Sequence, residues 1–412
     1  MKLLHFSDLH IGVETYGSLD PRTGLSTRLS DFLDTYDKVL DFAIQDRVDL
    51  VVFCGDAYKS RDPSQTHQRA FAQGISRLVN EGIPVFLVVG NHDLPTVRSR
   101  ASALEIFPTL RIQGVTVGDR IQVYTINTVS GPIQIVALPW IRRNEFASAE
   151  PSRASSIEEI NRAIEQNLSE LINQATMNLD PEVPAILAGH CTIAGAITSS
   201  EQSMMLGRDH VLLQSSVSLP VFEYVALGHI HRRQVLGDDP PIVYSGSLER
   251  VDFGEEKDTK GFYLVELDET LARGQRLLEY NFHPLDVREF LTISVTVPDD
   301  ESDPTQVILD AISRQNIEDK VLRVDVTLPR HQEGALNERV VREALDSASF
   351  IAPIQRHIIG QRRTRWEGEG LANNSPLEAL TRYLDTREGL SQERKEVLLD
   401  LAKELLRDDI SG

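Results

Sequence analysis

The chain has 412 residues, a formal net charge of −20 and ordinary fractions of apolar and charged residues. These values predict a globular protein of two or three domains and argue against a protein that grips nucleic acid by bulk positive charge. No apolar run approaches the roughly 20 residues that a bilayer crossing needs, and His5 and Asp8 interrupt the first apolar stretch too early for a signal peptide. We therefore expect a cytoplasmic protein that makes no membrane contact.

The N-terminal part of the chain alternates strands with helices. Apolar runs predict strands at 3–6, 49–54 and 84–89, and amphipathic periodicity predicts helices at 28–45 and 65–81. This order predicts a βαβαβ unit with parallel strands.

The pattern then changes to hairpins and further strands. Segments 121–127 and 133–140 are joined by SGP, a helix is predicted at 156–177, and PAILA, YVAL, PPIVYSGS and GFYLVEL predict more strands. The simplest arrangement is an α/β fold in which two sheets pack face to face between flanking helices. We assign it to residues 1–280.

A second module is predicted at residues 281–365. FLTISVTV, VLRVDVTL and IQRHIIG alternate with helices at 305–315 and 337–347, which predicts a small α+β domain. After the linker EGEGLANN, residues 376–408 carry two leucine-striped helices, the first with a capping box and a proline at its start. Such a hairpin either binds a partner helix or coiled coil, or folds back on its own chain.

Polar side chains of ligand type follow five predicted strands. They are Asp8 and His10, Asp56, the run Asn91, His92 and Asp93, His190, and the pair His229 and His231. Because open α/β sheets bind ligands at the carboxyl ends of their strands, the five loops could meet at one pocket. One such turn alone is more often structural, but five in one chain favour a metal site.

The donor types favour a pair of transition-metal ions. Carboxylate, amide and imidazole donors without thiolate suit manganese, iron or zinc. Seven ligands are too many for one ion but suit two ions roughly 3.5 to 4 Å apart that share one carboxylate, an arrangement that activates water against a phosphate ester. Asp56 is the expected bridge, and His92 is free to protonate the leaving oxygen or to stabilise charge on the phosphoryl group.

The ordered set D-x-H, G-D, G-N-H-D, G-H and G-H-x-H resembles the calcineurin-like metallophosphoesterase superfamily. Within it, SDLHIG, GDAYKSRDPS, GNHDLP, AGHCTIAGA, LGHIH and YSGSLERVDFGEE with KGF are similar to the SbcD family of DNA nuclease subunits. The resemblance covers residues 1 to about 268 closely, and the small domain at 281–365 stands where that family has its capping domain.

The resemblance implies roles for individual residues. One ion would be held by Asp8, His10, Asp56 and His231, and the other by Asp56, Asn91, His190 and His229. Both ions would be divalent, with Mn²⁺ expected, and His92 and Asp93 would be catalytic.

The resemblance also implies an activity and partners. It implies 3′ to 5′ double-strand exonuclease and single-strand endonuclease activity in DNA repair, an SbcC-type ATPase bound through residues 376–408, and a homodimer. The alternatives are a phosphodiesterase for small nucleotides and a scaffold with a decayed site that regulates an ATPase.

Two further features concern the substrate. Lys59 stands where nucleases of this family often have a histidine and related protein phosphatases an aspartate, which argues against a protein phosphatase. Basic residues follow several of the motifs and could rim the pocket, or could be ordinary solvated charges. They are Arg61, Arg98, Arg100, Arg142, Arg143, Arg232 and Arg233.

Overall fold

The computed structural model describes residues 1–95, 97, 100–142, 157–199, 211–359, 380, 381, 384 and 392–408. The chain divides into two compact units, Met1–His357 and Ile358–Gly412.

The described strands and helices are numbered in chain order. The strands are β1 (Lys2–Phe6), β2 (Leu50–Phe53), β3 (Val85–Val88), β4 (Val115–Gly118), β5 (Val123–Thr128), β6 (Gly131–Leu138), β7 (Ala185–His190), β8 (Thr192–Ile193), β9 (Val211–Leu212), β10 (Tyr224–Gly228), β11 (Gln234–Leu236), β12 (Ile242–Tyr244), β13 (Gly261–Leu267), β14 (Leu277–Pro284), β15 (Phe290–Thr296), β16 (Val321–Pro329), β17 (Phe350–Ile351) and β18 (Gln355–Ile359). The helices are α1 (Thr27–Gln45), α2 (Gln65–Asn80), α3 (Ile106–Leu110), α4 (Ile157–Thr176), α5 (Pro304–Ser313), α6 (Glu338–Glu343) and α7 (Gln392–Asp408).

The first sheet has six strands in the order β14-β13-β1-β2-β3-β4. Strands β1 to β4 run parallel, whereas β13 pairs antiparallel with both β1 and β14. The parallel part requires the helical crossovers that the sequence predicts, and α1 and α2 supply two of them. At the start of α2, the Ser64 side chain accepts a hydrogen bond from the His67 backbone N–H, which caps the helix.

The second sheet also has six strands, in the order β11-β12-β10-β7-β6-β5. Strands β12, β10, β7 and β6 are parallel. The predicted hairpin forms its edge, because β5 pairs antiparallel with β6.

Alternate residues of the central strands separate two sides of each sheet. In β2, Leu50 and Val52 belong to the core between the sheets, whereas Val51 and Phe53 belong to the core shared with α1 and α2. The outer face of the second sheet packs against α4 through a third core that includes Ile164 and Leu168. The resulting α-β-β-α layering confirms the predicted two-sheet α/β fold.

A four-stranded sheet follows within the same compact unit. Strands β15, β16 and β17 are parallel neighbours, and β18 also pairs with β16. The predicted boundary at residue 280 lies inside β14, whose pairing continues the first sheet to Pro284.

A short 3₁₀ helix at Phe253–Glu255 contacts this four-stranded sheet. The Phe253 ring packs edge-on against Phe290 at 4.9 Å, and the Arg323 guanidinium lies 4.4 Å from the Phe253 ring centre. The next residue, Glu256, accepts hydrogen bonds from the Thr292 backbone N–H at 3.0 Å and its hydroxyl at 2.6 Å. The segment is therefore attached to β15 and β16.

The second unit contains α7, which matches the helix predicted near the C-terminus. Its Val397, Leu398 and Leu401 side chains are exposed. The first helix predicted in 376–408 lies outside the described residues except at 380, 381 and 384. Among the described residues, no helix combines the length and apolar character that a bilayer crossing requires.

Candidate metal centre

Loops from both sheets converge at the carboxyl ends of five strands. Asp8 and His10 follow β1, Asp56 follows β2, Asn91 and His92 follow β3, His190 ends β7, and His229 and His231 follow β10. Backbone hydrogen bonds hold the first two loops together, since the N–H groups of Asp8 and His10 donate to the carbonyl oxygens of Gly55 and Asp56 at 3.0 Å each. The structure thus brings all seven predicted metal residues together.

The donor atoms form overlapping clusters. Possible ligand atoms lie within 4.8 Å of one another in three groups, namely Asp8, His10 and His231, then His10, Asp56 and His92, and then Asp8, Asp56 and His190. Asp56 belongs to two of the groups. Its Oδ2 atom lies 3.7 Å from Nε2 of His10 and 3.5 Å from Nε2 of His190.

Several atoms with lone pairs lie close together on the His190 side of Asp56. Nδ1 of His190 donates to the carbonyl oxygen of Cys54 at 2.7 Å, because a carbonyl oxygen can only accept. In the neutral ring, Nε2 then carries a lone pair, yet it lies 2.9 Å from Oδ1 of Asn91, another acceptor. The same Asn91 oxygen lies 3.1 Å from Nδ1 of His229. A proton or a cation is needed to make these contacts favourable.

On the His10 side of Asp56, nitrogen atoms with lone pairs also lie close together. Nε2 of His10 lies 2.9 Å from Nε2 of His231, whose Nδ1 faces the Glu255 carboxylate at 2.7 Å. Buried Nδ1 of His10 has no hydrogen-bond partner among the residues that the structure describes. Two imidazole nitrogen atoms that face each other at this distance need a proton or a cation between them, which fits metal ligands better than a purely structural role. The residues present therefore fit a pair of divalent ions.

Burial and the close contacts between these groups shift the pKa values of the carboxyl and imidazole groups in the centre. Burial raises the pKa of Asp8. Burial acts in the same direction on Asp56, but the imidazoles of His190 and His92 outweigh it and hold the pKa of that carboxyl well below its usual range. Burial lowers the pKa of His190, yet Asp56 outweighs burial and raises it to about 9. The site thus holds an ionised Asp56 away from water, where a cation is stabilised.

Four of the ligand-type residues have a left-handed backbone. Their φ angles are 52° at Asp8, 48° at His10, 61° at Asp56 and 95° at His229. Side chains with a Cβ atom rarely adopt this region, and such strain concentrates at functional sites. Four of the eight described non-glycine residues with this backbone conformation therefore belong to the predicted ligand set.

Asp93 stands apart from the metal clusters. Its Oδ2 accepts the backbone N–H groups of Asp56 and Gly90 at 2.9 Å each, and its Oδ1 accepts that of Ala57 at 3.0 Å. The carboxylate thus fixes the turn after β2 onto the turn after β3.

His92 is half-buried, whereas the seven predicted ligands are buried. Its Nδ1 donates to the carbonyl oxygen of Lys59 at 2.7 Å, and its ring centre lies 5.0 Å from that of His10. Lys59 therefore orients His92 through its backbone. Burial lowers the pKa of both the Lys59 ammonium and the His92 imidazole, although Asp56 opposes the shift in each case.

The predicted basic rim is only partly in place. Nε of Arg61 donates to the Asn91 carbonyl oxygen at 3.1 Å, and Arg142 donates to that of Pro95. Arg100 and Arg142 line a cavity of about 440 Å³ together with Trp140. Arg233 instead stacks on Phe282, and Arg232 lies 4.0 Å from Asp258. Arg98 and Arg143 lie outside the described residues.

Three residues at the centre were missed by the sequence reasoning. The Trp140 ring packs on His229 with 4.9 Å between ring centres. Glu255 contacts His231, and the Lys260 ammonium lies 2.7 Å from Glu255. In the sequence, Glu255 and Lys260 cannot be distinguished from ordinary surface charges. Only the motif YSGSLERVDFGEE with KGF indicated that this region matters.

Comparisons with known proteins agree with this geometry. The family model described as calcineurin-like phosphoesterase matches residues 1–233. The chain is 27% identical over 293 residues to the SbcD subunit of the nuclease SbcCD of Staphylococcus epidermidis, covering 69% of this chain and 70% of that protein. It is 26% identical over 278 residues to the protein of the same name from Bacillus subtilis, covering 65% and 66%. It is 23% identical over 274 residues to "DNA double-strand break repair protein Mre11" of Methanococcus maripaludis, covering 65% and 63%.

Proposed function

The chain belongs to the calcineurin-like phosphoesterase family, and from this premise we propose that it is a metal-dependent DNA nuclease subunit. The observation that carries the proposal is the crowding of acceptor atoms from two sheets around Asp56. A pair of cations explains why so many lone pairs are buried together. The alternative of a decayed site is disfavoured because the whole donor set is present.

The two ions would have separate ligand sets with Asp56 in common. Asp8, His10 and His231 would complete one set, and Asn91, His190 and His229 the other. Mn²⁺ is the ion proposed because the resemblance to the SbcD family implies it, and carboxylate, amide and imidazole donors without thiolate are compatible with it. Bound ions of this kind make a water molecule more acidic and neutralise charge on a phosphate ester.

The protein's own residues would position the substrate and handle a proton. His92 is the proposed general acid, because it is oriented by the Lys59 carbonyl and remains partly accessible. For Asp93, which we predicted to be catalytic, the three backbone N–H groups on its carboxylate support a positioning role instead.

DNA is the proposed substrate, on the strength of the relatives' names and of the arginines near the centre. The matched relatives share about two thirds of their length with this chain. The 3′ to 5′ exonuclease and single-strand endonuclease activities, the cytoplasmic location and the homodimer are therefore carried as parts of the proposal. An SbcC-type ATPase bound through residues 376–408 is also part of the proposal. So is the division into domains at 1–280 and 281–365, with the boundary moved to Pro284, where β14 ends.

The decisive experiment combines Mn²⁺ binding with DNA cleavage. Purified protein should degrade linear DNA with Mn²⁺ and lose activity when the metal is removed by a chelator. His92→Gln should lower kcat by roughly 10²- to 10⁴-fold while two Mn²⁺ ions per chain still bind, because general acid catalysis contributes a factor of that size. Asp56→Asn should lose both ions, since that carboxylate faces both ligand sets.

Asp62→Asn is the matched control, because Asp62 is an exposed carboxylate close to Asp56 in the chain. It should retain binding and cleavage. Rapid hydrolysis of cyclic nucleotides with no attack on DNA would instead favour the small-nucleotide phosphodiesterase. Full metal content in Asp56→Asn would show that the bridge is another residue.

A further inference from the structure

We propose that Glu255, held by Lys260, is the positioning residue that orients and activates His231 for metal binding. The inference rests on the proposed function, because it concerns the same metal centre. It assigns a role to two charged residues that the ligand set does not include.

The contact between Glu255 and His231 is direct and fully enclosed. Oε1 of Glu255 lies 2.7 Å from Nδ1 of His231, and the Glu255 side chain has 0% exposure. Since an ionised carboxylate can only accept, Nδ1 of His231 carries the proton and donates it. The opposite nitrogen, Nε2, is thereby left to face Nε2 of His10 at 2.9 Å. This places the His231 lone pair inside the centre.

The other carboxylate oxygen is fixed by two donors. Oε2 lies 2.7 Å from the Lys260 ammonium and accepts from the Val251 backbone N–H at 3.0 Å. With both oxygens bound, the carboxylate cannot rotate away from His231. Its direction is therefore set before any metal arrives.

Lys260 is equally constrained. Its side chain also has 0% exposure, and its ammonium donates to the Ser247 hydroxyl at 2.8 Å and to the His231 carbonyl oxygen at 3.1 Å. The lysine thus binds both the carboxylate behind His231 and the backbone of His231 itself. Because a buried ion pair contributes little to stability, the burial of Glu255 and Lys260 is better explained by a functional role.

The functional role of Glu255 follows from the chemistry of imidazole ligands. A carboxylate on the remote nitrogen of a metal-binding histidine fixes the tautomer and increases the basicity of the nitrogen that binds the metal. Loss of such a partner commonly costs 10- to 100-fold in metal affinity. Of the two ligand sets, only the one that contains His231 would be affected.

The test is Mn²⁺ titration of Glu255→Gln by calorimetry, with thermal unfolding of the metal-free protein measured in parallel. Glutamine keeps the size and one acceptor but removes the charge. We expect one Mn²⁺ site to weaken by about 10- to 100-fold while the other keeps its affinity. A merely structural role would lower the unfolding temperature of the metal-free protein and leave both affinities unchanged, which would overturn the inference.

Two further variants separate a loss of Mn²⁺ affinity from misfolding and from a general effect of removing a nearby carboxylate. Glu255→Gln combined with Lys260→Met removes both buried charges, so it should recover stability and still show one weak Mn²⁺ site. Glu256→Gln is the matched control, because the neighbouring glutamate bonds to Thr292 and not to His231. An equal loss of Mn²⁺ affinity in Glu256→Gln would also contradict the inference.

The outcomes separate this inference from the proposed function. Wild-type protein that binds two Mn²⁺ ions but cleaves no phosphodiester would refute the nuclease proposal and leave the role of Glu255 intact. Normal cleavage by the wild type with unchanged affinities in Glu255→Gln would do the reverse.

Discussion

The left-handed backbone at four ligand-type residues costs each of them of order 1 to 3 kcal/mol. They are Asp8, His10, Asp56 and His229. Neighbouring groups offset this cost. The backbone N–H of His229 donates to both oxygens of Asp8, at 3.1 and 3.0 Å, and the Ser7 hydroxyl donates to Asp8 at 2.6 Å. The ligand geometry is therefore maintained by the protein itself.

Gly90 offers a test of this close packing. A Cβ atom at Gly90 would lie 2.2 Å from Oδ1 of Asp56 and 2.4 Å from its backbone nitrogen, so Gly90→Ala must displace the proposed bridge. Because a displacement of about 1 Å can cost 10²-fold in rate, we expect a loss of that order in phosphodiester hydrolysis, with weaker Mn²⁺ binding.

Gly334→Ala is the control for this change. Nothing lies within 4 Å of a Cβ atom at Gly334, so the variant should behave as wild type. Full activity in Gly90→Ala would show that the turn after β3 can move without harm to the centre.

The ligand residues could be predicted from the sequence because each directly follows an apolar strand, and parallel strands deliver such residues to one edge. The residues around the ligands could not. Lys260 reads as a solvent-exposed charge in any local window, and only the tertiary fold places it against Glu255. Asp93 was predicted to be catalytic from its place in the G-N-H-D motif, and its hydrogen bonds to three backbone N–H groups, which no local pattern reveals, support the positioning role proposed above.

At the level of elements, predictability depends on periodicity. The central strands β1, β2 and β3 are buried at nearly every position, and their unbroken apolar runs are easily recognised. Strand β14 was missed because it has no buried residue and no clear alternation. It is defined by its pairing with β13, which no local pattern reveals.

Helix α7 carries the prediction about a partner. Deleting residues 376–412 should abolish association with an SbcC-type ATPase and leave hydrolysis of a small chromogenic phosphodiester unchanged, because the metal centre lies in the other compact unit. Association is measured by co-purification, and hydrolysis by absorbance.

A point variant refines the same test. Leu401→Glu places a charge on the apolar face of α7, where Leu401 is 50% exposed, and should weaken association. Arg394→Ala changes an exposed polar position of the same helix and should not. Unchanged association after the deletion would remove the partner assignment.

At the scale of the whole molecule, His5 connects the two large sheets. It lies on β1, its Nε2 donates to the Leu227 carbonyl oxygen at 3.2 Å, and its Nδ1 accepts from the Tyr224 hydroxyl at 3.0 Å, both partners lying on β10. Burial lowers the pKa of His5 to about 3, so the folded protein holds this ring neutral.

This residue predicts a pH dependence of stability. The unfolded chain gains a proton on His5 below about pH 6.5, whereas the folded chain gains it only near pH 3, so acidification favours unfolding across that interval. Between pH 7.5 and 5.5 the loss from this one group should be about 1.4 kcal/mol. His5→Gln should lack that part, as measured by urea unfolding of the metal-free protein at both values. An identical pH dependence in the two proteins would contradict the assignment.

The 3₁₀ helix at Phe253–Glu255 has two attachments, one on His231 and the other, through Phe253 and the adjoining Glu256, on β15 and β16. One short segment therefore contacts both a proposed metal ligand and the four-stranded sheet. The place of the Glu255 carboxylate depends on the fold of residues far beyond the matched family region, which ends at residue 233.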